Sequence, residues 1–507
     1  MKIFVPRDAA AKALGSDEVA AAVLAEAARR GVAVELVRNG SRGMVWLEPL
    51  IEVETPKGRL AFGPLLPSDV TGLFGDLSNH IKALGLTEDL PWLKGQTRLT
   101  FARVGVVDPL SLSDYAAHDG LAGLRRALAM TRDAVVDEVT ASGLRGRGGA
   151  GFPTGIKWKT VAGAKADRKY IVCNADEGDS ATFADRMLME GDPFCLIEGM
   201  TIAGLAVGAT KGLVYIRSEY PDAIEVMSAA VSIARAEGLL GASVLGSGPA
   251  FEIEIRVGAG AYVCGEETSL LNSLEGKRGV VRAKPPLPAL EGFMGKPTVV
   301  NNVISLASVP VILARGAAFY KDFGLGRSRG TIPLQIAGNV RFGGLYECAF
   351  GLTLGQIVND IGGGTATGRP VKAVQVGGPL GAYFPPALFD TPFGYEEFAG
   401  LDGLIGHAGL TIFDDSADML KQARFAMEFC AIESCGKCTP CRVGAVRGVE
   451  TVDRIARGDA TAIPLLTDLC NTMKLGSLCA LGGFTPYPVM SALTHFPNDF
   501  ATKEAAE

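Results

Sequence analysis

Three closely spaced cysteines constrain the fold of this chain more than any other sequence feature. In "ESCGKCTPCRVG" they are Cys435, Cys438 and Cys441, which follow the pattern C-x-x-C-x-x-C. One tight loop with this spacing points three thiolates at a single centre, as in iron–sulfur cubes whose fourth thiolate is distant in sequence. Zinc is the alternative, although structural zinc sites prefer two ligand pairs and this region has no second C-x-x-C.

The fourth ligand has two candidates downstream, Cys470 and Cys479. We favour Cys479, because the small residues and glycines of "GSLCALGG" allow close approach to a cluster. Cys470 lies in the helical pattern "LLTDLCNTMK", where we expect a buried side chain. The sequence therefore predicts a four-iron cluster held by three local cysteines and one distant cysteine.

Composition excludes several classes of function. A chain of 507 residues is too long for one hydrophobic core, and 48% apolar with 21% charged residues is an ordinary globular balance. A net charge of -6 without a basic block does not indicate nucleic-acid binding or an anionic membrane surface. No stretch has the pattern of a bilayer span or a secretory signal, so we expect a soluble cytoplasmic protein with no membrane insertion. In a reducing cytoplasm, clustered cysteines are metal ligands more often than disulfides.

The order of predicted helices and strands indicates an α/β multidomain fold. Residues 1–75 have the order βαβ followed by ββα, which is thioredoxin-like, and no cysteine precedes Cys173. In this first unit, we expect Ser16 to cap the long helix and Gly31 to end it. The remaining boundaries that we predict are a connector at 76–125, a Rossmann-like α/β domain at 126–325, a β-grasp domain at 326–412 and a helical cysteine-bearing domain at 413–507.

A glycine-rich segment, "SGLRGRGGAGFPTGIKW", contains the spacing G-x-G-x-x-G at Gly146, Gly148 and Gly151. A predicted helix rather than a strand precedes it and a proline follows, so an ordinary Rossmann turn is not expected. Bare backbone N–H groups beside Arg147 and Lys157 could still cradle a phosphate or lie against a planar ring. A flexible surface loop is the alternative.

Polar side chains recur at three further segment ends. "NADEGD" follows the strand "KYIVC", and open α/β sheets bind ligands at that edge. "GAYVCGEETS" crosses from a strand to a helix, and "KPTVVNNV" ends in two asparagines. The alternatives are a solvated loop, a carboxylate that complements a helix dipole, and an asparagine cap.

Taken in order, these motifs closely resemble those of the NADH-binding flavoprotein family over residues 125–485 or so. This family comprises the FMN- and [4Fe-4S]-carrying subunit of respiratory complex I and the diaphorase subunits of NAD-linked hydrogenases and formate dehydrogenases. The resemblance implies that FMN, a [4Fe-4S] cluster and NAD are the cofactors, and it favours iron over zinc. It implies no catalytic side chain, because flavin N5 is the hydride partner.

The resemblance also assigns residues to each cofactor. It implies that FMN is surrounded by Gly146, Arg147, Gly148, Lys157, Asn174, Asp176, Glu177, Tyr262, Gly265, Glu266, Glu267, Asn301 and Asn302. By the same comparison, the nicotinamide nucleotide faces Phe152, Lys157, Asp179, Glu267 and Lys284, and the cluster is bound by Cys435, Cys438, Cys441 and Cys479. Three positions depart from the family pattern: Asp179 replaces a frequent glutamate, Thr160 an aromatic residue, and Leu287 a common phenylalanine.

The N-terminal unit distinguishes among the relatives. Complex I flavoproteins typically lack it, and hydrogenase diaphorases retain cluster cysteines in it. A cysteine-free unit most resembles the β subunit of molybdenum-containing, NAD-dependent formate dehydrogenases, which implies two partners: a large molybdenum-containing subunit and a small, thioredoxin-like [2Fe-2S] subunit. The alternatives are the equivalent subunit of complex I or of an NAD-reducing hydrogenase and, from a different class, a zinc-stabilised assembly protein.

Overall fold

The computed structural model describes residues 1–246 and 248–501. It confirms the predicted fold class, because it combines several mixed or parallel sheets with a helical C-terminal region.

The first sheet contains five strands in the order β2-β1-β3-β4-β5. β1 and β2 are parallel, and the other neighbours are antiparallel. The strands are β1 Lys2–Phe4, β2 Glu35–Val37, β3 Ile51–Thr55, β4 Gly58–Phe62 and β5 Ala83–Leu86, and the helices are α1 Ala9–Ala13 and α2 Ser16–Arg30. This thioredoxin-like arrangement contains no cysteine.

The ends of α2 test two predictions. Gly31 ends the helix in a left-handed conformation, with φ 68°, so that prediction is confirmed. The predicted Ser16 cap is wrong, because Gly15 is the N-cap at φ 99° and Ser16 is the first helical residue, with its side chain buried. The left-handed Gly15 turns the chain from α1 directly into α2, so Ser16 already has a helical conformation. It therefore lacks the extended conformation that an N-cap residue needs.

The segment assigned to the connector ties the first unit to the rest of the protein. It supplies β5 to the first sheet and forms α3 Pro91–Lys94, α4 Leu112–Ala117 and α5 Ala122–Leu128. Trp92 Nε1 donates to the backbone oxygen of Leu345 at 3.0 Å, and Thr97 N donates to that of Glu347 at 2.9 Å. Both acceptors belong to the strand Gly344–Ala349, which is part of the β-grasp sheet described below. The connector is therefore packed against the rest of the protein rather than extended into solvent.

The second sheet is fully parallel, in the order β8-β7-β6-β9. Its strands are β6 Tyr170–Ala175, β7 Lys211–Ile216, β8 Glu252–Val257 and β9 Thr298–Asn302. Helices around it are α6 Arg132–Ala141, α7 Thr154–Gly163, α8 Ala184–Gly191, α9 Pro193–Val207, α10 Pro221–Ala236, α11 Glu267–Leu274, α12 Pro288–Glu291, α13 Val303–Ala307, α14 Val309–Arg315 and α15 Ala317–Lys321. β6 has β7 on one side and β9 on the other, so a topological switch point lies between β6 and β9.

Both faces of the second sheet are buried. Ile171 and Cys173 of β6 pack in the cluster that contains the fully buried α9, whereas Val172 between them packs with residues of the C-terminal helices. The period of two along a strand places alternate side chains in these two cores. Only the strand ends therefore remain available for a ligand.

The third sheet has the mixed, β-grasp order β13-β12-β16-β14-β15. After the short hairpin of β10 Gly324–Leu325 and β11 Ser328–Arg329, its strands are β12 Thr331–Gly338, β13 Gly344–Ala349, β14 Val371–Val376, β15 Ala382–Phe384 and β16 Gly409–Asp414, with α16 Tyr395–Ala399 and a π-helix at Gln356–Ile361. The C-terminal region is helical: α17 Met419–Glu433, α18 Thr439–Ala456, α19 Ala462–Gly476, α20 Ala480–Phe484 and α21 Pro486–His495. Among the described residues, no helix combines the length and apolar character needed to cross a bilayer.

Candidate functional site

A cavity of about 600 Å³ lies at the carboxyl edge of the second sheet, beside the switch point between β6 and β9. This volume is within the range of roughly 300–1,000 Å³ that is usual for small-molecule sites. Its wall is built from the glycine-rich loop, the loop after β6, the start of α11, the end of β9, a loop of the third sheet and the start of α20.

The cavity brings together most residues predicted for FMN and for the nucleotide. All five predicted nucleotide contacts line it, and so do the predicted FMN contacts other than Arg147. Thr160 and Leu287, which depart from the family pattern, also line it. The clustering of these positions at one edge is observed, whereas each contact with a bound ligand stays a prediction.

Arg147 has a different position from the one that the sequence suggested. Its side chain is buried and points into the protein, where the guanidinium donates to the backbone oxygens of Thr331 at 3.2 Å and Arg329 at 2.6 Å, and to Tyr320 Oη at 2.9 Å. With the backbone oxygen of Arg145 at 2.9 Å, these acceptors engage four of its five N–H groups, and the side chain does not line the cavity. We therefore correct its role to anchoring the glycine loop.

The glycine loop is an ordered turn between α6 and α7, as expected from the helix that precedes it. Gly146 N donates to the backbone oxygen of Phe152 at 2.8 Å, and Thr154 N donates to that of Leu144 at 2.9 Å. Gly151 has φ 60°, and a Cβ there would lie 2.7 Å from a ring carbon of Tyr395. Glycine is therefore required at this turn, and the alternative of a flexible surface loop does not fit.

Acidic side chains follow β6 at the cavity wall. Burial raises the pKa of Asp176 to about 7, although nearby Arg217 opposes the shift. Burial also raises the pKa of Asp179, whose Oδ1 accepts a hydrogen bond from Tyr262 Oη at 2.7 Å. These carboxyl groups are therefore partly enclosed and are not a solvated acidic loop.

The start of α11 presents two glutamates with different roles. Glu266 is the N-cap, and its Oε2 accepts from Thr268 N at 2.8 Å, which fits the alternative of a carboxylate that complements the helix dipole. Glu267 Oε1 lies 2.7 Å from Lys284 Nζ, and Glu267 Oε2 lies 3.5 Å from Lys157 Nζ. Burial opposes ionisation of Glu267, but the two lysines outweigh it and lower its pKa. The cavity thus contains a paired carboxylate with two cations at its wall.

The paired asparagines at the end of β9 are also engaged by the protein. Asn301 Oδ1 accepts from the buried Trp158 Nε1 at 2.9 Å. Asn302 Oδ1 accepts from Ile304 N at 2.9 Å and caps α13, which is the alternative left open by the sequence. Their amide orientations are therefore set before any ligand binds.

Three of the four predicted cluster cysteines lie at two helix starts, and Cys435 lies in the loop just before the first of them. Cys438 is the N-cap of α18, Cys441 lies in its first turn and Cys479 is the N-cap of α20. Cys438 Sγ accepts from Leu478 N at 3.5 Å, which brings the loop before α20 onto the three-cysteine loop. All four side chains are free thiols, whereas Cys470 is 1% exposed within α19.

This donor set fits a [4Fe-4S] cluster. Four thiolates are the ligands that such a cluster uses, and the N-terminal end of a helix favours the negative charge of the cluster. Gly436, at φ 80°, makes the turn between Cys435 and Cys438. Cys479 also lines the cavity, so the predicted cluster site would share a wall with the small-molecule site.

Sequence reasoning missed three residues of these sites. His407 and Asp185 line the cavity, and Cys430 Sγ lies 3.7 Å from Cys441 Sγ inside the helical region. His407 and Asp185 stand outside the glycine and asparagine motifs, and Cys430 stands outside the C-x-x-C spacing. No local pattern could have identified them.

Comparison with known proteins agrees with this geometry. Two family models match: "Nuo51 FMN-binding domain" over residues 139–311 and "NADH-ubiquinone oxidoreductase-F iron-sulfur binding region" over residues 421–503. The chain is 46% identical over 409 residues to the NADP-reducing hydrogenase subunit HndC of Solidesulfovibrio fructosivorans, covering 80% of this chain and 83% of that relative. It is 44% identical over 400 residues to the F 2 subunit of the NADH-quinone oxidoreductase of Rhizobium meliloti, covering 78% and 95%.

A solved structure is similar over nearly the whole chain. The crystal structure of an NAD+-reducing [NiFe]-hydrogenase in the air-oxidised state matches with a TM-score of 0.70 and 29% identity, covering 98% of this chain and 84% of that chain. The chain therefore belongs to the NADH-binding FMN and [4Fe-4S] flavoprotein family, and the predicted resemblance is confirmed. Within that family it is an NAD(H)-dependent oxidoreductase subunit of the diaphorase type, with FMN, a [4Fe-4S] cluster and NAD as its cofactors.

Proposed function

We propose that the chain is the diaphorase subunit of an NAD-dependent formate dehydrogenase complex. In this complex, formate is oxidised on a molybdenum-containing partner, and electrons reach NAD through the cluster and FMN of this chain. The observation that carries the proposal is a cavity lined by the predicted FMN and nucleotide residues other than Arg147, in a chain whose thioredoxin-like unit has no cysteine. Such a unit cannot hold a cysteine-ligated cluster, so electrons would enter from a separate [2Fe-2S] subunit.

The residues that line the cavity can be assigned separately to FMN, to the nicotinamide nucleotide and to the cluster. Bound FMN would exchange a hydride with the nicotinamide and single electrons with the cluster. We assign Lys157 and the paired amides of Asn301 and Asn302 to FMN, and Phe152, which is 51% exposed, to stacking near the mouth. Cys479, which we assign to the cluster, also lines the cavity, so the two cofactors would lie close together.

The remaining FMN and nucleotide assignments rest on the same wall, with Arg147 moved to an anchoring role. The domain boundaries stay proposals; because β5 at Ala83–Leu86 pairs with β4, we extend the first unit from residue 75 to residue 86. We also propose a cytoplasmic location, which is supported by ten cysteines that are all free.

One observation favours a second candidate, the equivalent subunit of a NAD-reducing hydrogenase. The hydrogenase structure matches 98% of this chain, so its likeness extends through the N-terminal unit. The absence of cysteines from that unit is the feature that speaks against this candidate.

Metal analysis of the native complex separates these candidates. The complex is purified through a tag on this chain, and flavin, iron, molybdenum, nickel and zinc are measured per chain before and after subunit separation. Molybdenum on a partner, with FMN and four irons here, is the expected result. Nickel on the partner would replace our proposal with the hydrogenase candidate, and zinc without flavin would indicate an assembly protein.

A further inference from the structure

One histidine, His407, lies in the cavity wall where three parts of the chain meet. It stands just before β16 in the third sheet and is 6% exposed. Its Nδ1 lies 2.6 Å from the backbone oxygen of Arg147 in the glycine loop. Its Nε2 lies 3.2 Å from Glu177 Oε1 in the acidic loop and 3.1 Å from Asp185 Oδ1 on α8.

Both ring nitrogens therefore face groups that only accept protons. The Arg147 carbonyl has no hydrogen to donate, so Nδ1 carries one. Glu177 already accepts from two backbone N–H groups, those of Asp185 at 3.2 Å and Arg186 at 3.1 Å, as an ionised carboxylate does. Nε2 lies between two carboxylates without being aligned as a regular hydrogen bond to either, so this contact is an ion pair shared by both. A neutral imidazole has only one N–H, so a lone pair at Nε2 would face the Glu177 carboxylate, whose pKa is lowered, and the Asp185 carboxyl group, whose pKa burial raises although His407 opposes that shift.

We propose that His407 is a positioning residue, held as an imidazolium, that joins the glycine loop to the acidic wall and offsets the buried charge of Glu177 and Asp185. This inference deepens the proposed function and rests on it where FMN is concerned. The protonation state itself follows from the protein atoms alone.

The surrounding charges support this state. Burial by itself disfavours the charged imidazole, but Asp185 and Glu177 outweigh it and raise the pKa of His407 well above its usual range. Asp179 adds a third carboxyl group nearby, and Tyr220 Oη donates to Glu177 at 3.2 Å. The two neighbouring arginines have carboxylate partners of their own, since Arg186 pairs with Glu190 and Arg217 pairs with Glu219.

Loss of this cation would change the cavity in two ways. The glycine loop would lose the hydrogen bond that fixes Arg147 O, and two carboxylates would be left facing a site for an anionic ligand. FMN carries a phosphate dianion, and its reduced ring gains negative charge. Uncompensated carboxylates would therefore weaken FMN binding and lower the reduction potential of bound FMN.

The same three residues suggest a competing reading, a divalent cation site. Their ligand atoms all lie within 4.8 Å of one another, and a neutral His407 could offer Nε2 to a metal ion. In that case Nε2 would carry no proton. The two readings therefore predict different nitrogen spectra.

The first test is a histidine ¹⁵N spectrum of the FMN-free chain, which contains four histidines. At pH 8, we expect one ring with both nitrogens protonated, absent from H407Q and present in the control H495Q, because His495 is an exposed residue at the end of α21. A neutral ring for His407, or an Nε2 signal that moves when Zn²⁺ is added, would overturn the proposal.

The second test measures FMN affinity and the midpoint potential of the bound flavin. H407Q should bind FMN about tenfold more weakly, as expected for the loss of one charge-assisted hydrogen bond, and its flavin potential should fall. H407Q/D185N, which removes one charge of each sign, should recover part of both losses. If the wild type binds FMN and H407Q has the same FMN affinity and flavin potential, the positioning role is overturned. A wild type that fails to bind FMN would instead overturn the proposed function, while the nitrogen spectrum still decides the state of His407.

Discussion

Replacing Cys479 with serine is expected to remove the cluster, whereas the same change at Cys470 leaves about four irons per chain. Both residues are free cysteines of the C-terminal helices, so the pair forms a matched chemical comparison. Cys479 faces the three-cysteine loop, because the neighbouring Leu478 N donates to Cys438 Sγ at 3.5 Å. Cys470 points into the apolar interior of the helical region.

For stability we expect the reverse order: Cys470→Ser, which keeps its iron, should be destabilised more than Cys479→Ser. Cys470 is 1% exposed, so a serine there replaces an apolar contact with a hydroxyl, which would donate to the backbone oxygen four residues earlier in α19. We expect this change to cost about 1–2 kcal/mol of unfolding free energy without affecting iron. Cys479 is partly exposed at the start of a short helix, so without iron its replacement should cost less than about 1 kcal/mol.

The assay is anaerobic reconstitution followed by iron and sulfide analysis, with thermal unfolding of the iron-free chains in parallel. Iron lost from Cys479→Ser alone, with the larger destabilisation in Cys470→Ser, would support the ligand assignment. Iron lost from Cys470→Ser and retained by Cys479→Ser would refute it. Equal iron loss in both would show that packing of the helical region, rather than thiolate geometry, controls cluster binding.

Three further predictions concern the cavity. Because the pKa of Asp176 is raised to about 7, the folded state favours its protonated form, and the free energy of unfolding should fall as pH rises from about 4 to 7. Asp176→Asn should flatten this dependence in denaturant titrations of the FMN-free chain. An unchanged pH dependence in the variant would contradict the assignment. Lys284→Gln removes the cation paired with the glutamates at the start of α11, so it should raise the KM for NADH by about tenfold when activity is measured with an artificial acceptor. The control is Lys277→Gln, which should leave KM unchanged because Lys277 is exposed and pairs with Glu275 away from the cavity wall. Equal effects of the two changes would refute a specific role for Lys284. Gly378 has φ +76°, and Gly378→Ala would place a Cβ 2.5 Å from the carboxyl carbon of Asp179. The change should therefore destabilise the chain by roughly 1–2 kcal/mol and weaken NADH binding. Unchanged stability and unchanged NADH affinity would show that the loop relaxes freely.

Local patterns carried much of the prediction of fold and site. The glycine spacing, the polar residues after buried strands and the paired asparagines all lie at one edge of the second sheet because parallel strands end on the same side. Cys479 was favoured from its glycine-flanked setting, and the loop before it lies against Cys438. These features depend on residues close in sequence, so a single sequence contains them.

The two failures have different physical origins. Arg147 stands among glycines that we predict to bind a ligand, yet its side chain donates to residues 320–331, which pack on the side of the loop away from the cavity. The capping role of Ser16 depended on the direction in which α1 enters α2, and Gly15 set that direction. The partners of Arg147 are distant in sequence, whereas the residue that displaced Ser16 from the cap position is its direct neighbour.

The sequence by itself therefore indicated the fold class through spacing and periodicity, and the family and its cofactors through the resemblance of its ordered motifs; the cluster cysteines that it predicts stay a prediction. Only the tertiary structure decided how the separate sites are joined. It brought Cys479 into the cavity wall and His407 from the third sheet between Glu177 and Asp185. The charge state of a buried group depends on every element packed around it, and that packing exists only once residues hundreds of positions apart have met.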